Sequence, residues 1–112
     1  MSVTIYHNPK CSKSRATLAL LQENGAEPAI VEYLQTPPSA AELKDILQKL
    51  GKAPADILRK KEAKEEGVDA GQADDALIAD MVAHPRVIER PIVVHGAKAA
   101  VGRPPESVLD IL

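Results

Sequence analysis

Two short β-branched runs, VTIY at residues 3–6 and PAIVEY at 28–33, stand on either side of a single helix-length segment. A strand, a helix and a strand joined over so few residues close as a right-handed parallel βαβ unit. The first run stops at HNPK, where Asn8 and Pro9 signal a turn. From Ser12 the segment SKSRATLALLQENG sets Ala16 and Leu20 four apart and Leu18 and Leu21 three apart, and Gly25 is a natural stop. Cys11 therefore falls at the start of a helix.

The rest of the chain extends this α/β opening. Ser39 and Glu42 form a capping-box pattern ahead of Leu43, Ile46, Leu47 and Leu50 at helical spacing, ending at Gly51. Pro54 suits the first turn of a helix running through ADILRKKEAKEE, and Asp74 or Asp75 is placed to cap another that carries Leu77, Ile78, Met81 and Val82. After His84 and Pro85, IVVH following Pro91 and Ala99–Val101 read as a hairpin turned by Gly96. A last helix from near Pro104 directs Val108 and Leu112 at the sheet. The expected architecture is a mixed β-sheet with an N-terminal βαβ unit, a helical insertion, and a C-terminal β-hairpin plus helix. At 112 residues we expect a single domain, 1–112.

Composition narrows the function. The 45% apolar and 27% charged content is that of a folded globular protein. Phe and Trp are absent, so the core rests on Leu, Ile, Val and Ala, and no aromatic platform exists for stacking bases. With a net charge of −2, no general attraction to nucleic acid or to a membrane surface is expected. No run of 18 apolar residues occurs, and the expected location is cytoplasmic. The histidines, His7, His84 and His95, are scattered, and no cluster has zinc-ligand spacing, so no bound metal or cofactor is expected.

The one cysteine, Cys11, cannot form an internal disulfide. From position alone it is either a small buried hydrophobe or a nucleophile. Unpaired N–H groups and the positive end of the dipole at a helix start stabilise a thiolate, and His7, Lys10, Lys13 and Arg15 surround the loop. Ser14 and Arg15 suit either an anion-directed role or an ordinary first-turn role. Arg59 opens a mixed-charge run, while Arg90 and Arg103 each precede a proline, at backbone turns.

The loop HNPKCSKSR at 7–15 closely resembles the active-site loop of the glutaredoxin-linked arsenate reductase family, in its shorter members. The resemblance continues through YLQTPPS at 33–39, DILRKKE at 56–62, ERPIVV at 89–94 and GRPPESVLDIL at 102–112. It implies a thioredoxin-like fold, with Cys11 as nucleophile toward arsenate and His7 helping to depress its pKa. It further implies Arg59, Arg90 and Arg103 as oxyanion-binding residues, and a cis proline at Pro91. With no second cysteine, glutathione is the implied co-substrate and glutaredoxin the implied reductant. Two other readings share the superfamily. One is a glutathione-dependent thiol oxidoreductase with another substrate. The other is a regulatory module that binds RNA polymerase and often carries a C-x-x-C switch; Ser14 precludes the switch here and leaves the binding reading open.

Overall fold

The computed structural model describes residues 2–112, and they fall into two compact units. One contains residues up to Thr36 together with Arg90–Leu112, and the other is Pro37–Glu89.

The first unit is built on a four-stranded sheet of β1 (Val3–His7), β2 (Ala29–Glu32), β3 (Ile92–His95) and β4 (Lys98–Val101), in the spatial order β2-β1-β3-β4. The β1 and β2 strands run parallel, joined through helix α1 (Ser12–Glu23), while β3 is antiparallel to both β1 and β4. This mixed sheet with its βαβ opening is the thioredoxin-like arrangement that the resemblance implies. Alternation along β1 buries Val3, Ile5 and His7 on one face. Ile5 pairs with Val93 across the β1–β3 ladder, and both are fully buried with Leu21 and Val108. Each such aliphatic side chain contributes about 1.5–3 kcal/mol.

Two details of this unit differ from the periodicity reading. The buried stripe of α1 is Ser14, Thr17 and Leu21, while Ala16 is exposed. Two polar side chains can lie there because each has a partner: Ser14 reaches His7, and the Thr17 hydroxyl donates to the Lys13 carbonyl at 2.8 Å. The last segment, Pro105–Ile111, is a 3₁₀ helix. Its threefold repeat puts Ile111, not Leu112, on the same side as Val108, so Ile111 packs on the core and Leu112 is exposed.

The second unit is helical. The capping box at Ser39 forms in full, with Glu42 N–H donating to Ser39 Oγ at 3.1 Å and Ser39 N–H to Glu42 Oε1 at 3.0 Å. It starts α2 (Ala40–Leu50), which buries Leu43, Ile46 and Leu47 and ends on Gly51 at φ +66°. The helix expected from Pro54 is broken. A 3₁₀ turn over Pro54–Ile57 is followed by an extended Leu58, and α3 begins only at Lys60 and ends at Glu66. Tertiary pairing overrides helix propensity here: Leu58 bridges Ile88 antiparallel, Arg59 N–H donates to the Val87 carbonyl at 2.7 Å, and Glu89 N–H to the Ile57 carbonyl at 2.8 Å. Helix α4 (Asp74–Ala83) is capped at Ala73, with Asp74 and Asp75 inside its first turn, where their charges still suit the dipole. No helix among the described residues is long and apolar enough to cross a membrane.

Candidate active site

The loop between β1 and α1 is a closed turn that places Cys11 at the start of α1. Asn8 does most of this. Its carbonyl accepts the Cys11 N–H at 3.0 Å, and its side-chain oxygen accepts the Lys10 N–H, also at 3.0 Å. Arg15 braces the outside of the turn by donating to the Pro9 carbonyl at 2.9 Å. Cys11 is left as the N-cap of α1, in extended geometry (φ −93°, ψ 123°) and partly exposed.

Burial pushes the Cys11 thiol pKa up, but this is outweighed by the Ser14 backbone N–H, the Arg90 guanidinium and the Lys13 backbone N–H. The net result is a thiol below its ordinary range, as a helix start and an adjacent cation require. Arg103 Nη2 also reaches Sγ, at 3.7 Å. The two arginines are joined: Arg103 Nε donates to the Arg90 carbonyl at 2.7 Å. The β3–β4 hairpin makes this possible by returning the chain to its starting point, with Ile92 opposite Val101 and Gly102 N–H donating to the Pro91 carbonyl at 2.9 Å. Both X-Pro bonds that follow these arginines, Arg90–Pro91 and Arg103–Pro104, are cis.

His7 is buried, with Nδ1 2.7 Å from Ser14 Oγ. Burial lowers its pKa, the Glu32 carboxylate opposes this, and Arg15 reinforces it. His7 therefore enters the site as a neutral ring tied to Ser14, and the cations beside the thiol are guanidinium groups instead. Ser14 Oγ also accepts the Asn8 N–H at 3.0 Å, so its hydroxyl serves the loop while its backbone N–H serves the thiol.

Arg59 belongs to the helical unit. Its Nε donates to Glu62 and its Nη1 to Glu89 at 2.9 Å, and these carboxylates, against an opposing effect of burial, raise its pKa. The structure thus brings together Cys11, His7, Ser14, Arg90 and Arg103 within the sheet unit. Gly102 as a point of close approach is not singled out from sequence, whereas Asn8 is read there as a turn signal and Arg15 as an anion-directed or first-turn residue, and the structure uses both to brace the loop. A glycine at a strand end was the available signal for Gly102. Among the described residues, no group of three or more His, Cys, Asp or Glu side chains is arranged to hold a metal ion.

Comparison with known proteins gives the family. The profile of the ArsC family matches residues 6–111. The uncharacterized protein YfgD of Escherichia coli strain K12 is 54% identical over 114 aligned positions, covering 98% of this chain and 96% of that one. An arsenate reductase of Neisseria meningitidis serogroup A is 50% identical, covering 98% of this chain and 97% of its own length. The solved structure of an arsenate reductase from Vibrio cholerae superposes with a TM-score of 0.93 at 52% identity, covering 100% of this chain and 98% of that one.

Proposed function

The chain belongs to the ArsC family, and from that premise we propose that it reduces arsenate to arsenite through Cys11, with glutathione and glutaredoxin supplying the electrons. The observation that carries this reading is the Cys11 thiol at a helix start with two linked arginines beside it. A depressed thiol pKa supplies the nucleophile, and guanidinium forks suit a tetrahedral oxyanion that must approach a thiolate of the same sign.

In the first step the Cys11 thiolate sulfur bonds to the arsenic of dihydrogen arsenate, and one arsenate oxygen leaves as water with both of that ion's protons. Arg90 and Arg103 offset the charge on the remaining oxygens. In the second, the glutathione thiol attacks the Cys11 sulfur. An S–S bond forms, the pair of electrons in the S–As bond stays on arsenic, and arsenic(V) leaves as arsenite while the thiol proton passes to an arsenite oxygen. A glutaredoxin thiol then takes the glutathione from the mixed disulfide and returns Cys11 to its reduced form. His7 acts through Ser14, holding the α1 start so that its N–H groups face the sulfur. The assignment of Arg59 to the oxyanion rests on the resemblance.

The test is an assay with arsenate, glutathione and glutaredoxin, followed by NADPH oxidation through glutathione reductase. Turnover that disappears in Cys11→Ser supports the reading. Folded, reduced protein without arsenate-dependent oxidation overturns it.

A further inference from the structure

Beside the active loop, at the carboxyl ends of the parallel pair β1 and β2, lies a recess of about 150 Å³ of which the reaction steps above use only His7. One wall is His7 with the loop Asn8, Pro9 and Lys10, and the other is Glu32, Leu34 and Gln35. Carboxyl ends of parallel strands are where open α/β sheets place ligands. We propose that this recess binds the γ-glutamyl end of glutathione when its sulfur is bonded to Cys11. The inference rests on reading Cys11 as the thiol that accepts glutathione.

The chemistry of the walls selects that end of the tripeptide. The γ-glutamyl residue carries an ammonium and a carboxylate on one carbon, and the recess offers one charge of each sign, Glu32 and Lys10. Both side chains are exposed, and neither has an ion-pair partner among the described residues. The glycine end bears only a carboxylate, which Lys10 attracts and Glu32 repels. The Asn8 and Gln35 amides are suited to the peptide groups. Leu34, 43% exposed, and Pro9 give the γ-glutamyl methylenes apolar contact. The volume suits one amino-acid-sized group and not a whole tripeptide. Lys10 adjoins Cys11 in the chain, so the recess borders the loop that carries the thiol.

The experiment needs no arsenate. Reduced protein is mixed with oxidised glutathione or with the disulfide of cysteinylglycine, which lacks the γ-glutamyl group. In each case the Cys11 thiolate displaces one thiol and keeps the other as a mixed disulfide, and mass spectrometry gives both rates. Each rate is divided by the iodoacetamide rate of the same variant, so that changes in thiol reactivity cancel. We expect the wild type to favour glutathione. Glu32→Gln and Lys10→Gln should each reduce that preference by roughly two- to fivefold, the range for an exposed charge pair, and Glu32→Asp should restore part of it. An equal preference in wild type and both charge variants overturns the inference. Loss of arsenate turnover with the preference intact would sink the arsenate reading and leave this one standing.

Discussion

Replacing Gly102 with alanine tests whether the arginine-bearing hairpin is fixed by contact with the helix that carries Cys11. A β-carbon at Gly102 lies 2.5 Å from Thr17 Oγ1, 2.7 Å from Pro91 Cγ and 3.1 Å from Thr17 Cγ2. Neither neighbour yields easily. Thr17 is fully buried and its hydroxyl is committed to the Lys13 carbonyl, while the Pro91 carbonyl accepts the Gly102 N–H at 2.9 Å. Overpacking of this kind costs about 1–3 kcal/mol, and the lower entropy of an unfolded chain with alanine offsets about 0.4–1 kcal/mol. A net loss of roughly 1–2 kcal/mol should appear as a lower urea midpoint at unchanged m value. Thr17→Ala removes two of the three close contacts, so in the double variant the costs should be non-additive by at least about 0.5 kcal/mol. A Gly102→Ala protein with the wild-type midpoint, or a double variant whose costs simply add, refutes the reasoning.

Other outcomes follow from the same geometry. Alkylation of Cys11 as a function of pH should titrate below the free-thiol value of about 8.5, and a rate rising only at or above that value removes the activated nucleophile. Lysine at Arg90 or Arg103 keeps the charge but loses the fork, and should lower arsenate turnover by about 2–4 kcal/mol of barrier, roughly one and a half to three powers of ten. By the role that the resemblance assigns to Arg59, Arg59→Lys should do the same. The reference is Arg86→Lys, at a surface pair with Glu65, and an equal loss there defeats a specific arginine site. Because the folded state lowers the His7 pKa, the unfolded chain binds more protons between the two pKa values. His7 thus contributes stability that is complete above about pH 6.5 and is lost as pH falls through the folded value. Urea midpoints from pH 7 to 5 should decline less steeply in His7→Gln, and an identical slope contradicts a buried neutral ring.

What the sequence made legible was local. The βαβ opening could be read because its β-branched runs, the turn at Asn8–Pro9 and the stop at Gly25 all lie within about one supersecondary unit. The capping box at Ser39 and Glu42 is a contact three residues apart, and it forms as read. The helix expected from Pro54 failed because its break depends on Ile88, thirty residues beyond Leu58. Arg59 shows both cases: Glu62 is within a helical turn, whereas Glu89 reaches it only through that bridge. At the site, a thiol at a helix start was visible in HNPKCSKSR. The direct link from Arg103 to the Arg90 carbonyl was not, since it is made by the closing of a hairpin. The polar stripe of Ser14 and Thr17 was also hidden, because an apolar period cannot announce side chains that are buried by having partners.

The β3–β4 hairpin works as a pair of tongs. Its two grips, Arg90 and Arg103, are held at the base by the ladder, while the hinge is the turn at Gly96 and Ala97 at the far end, where His95 pairs with Lys98. Spacing between the grips is set by strand register and not by the length of the hinge. Doubling such a loop costs only about 0.6 kcal/mol in closure entropy. The turn is therefore the place where this chain tolerates extra sequence, a peptide tag or a reporter, without loosening its hold beside the cysteine.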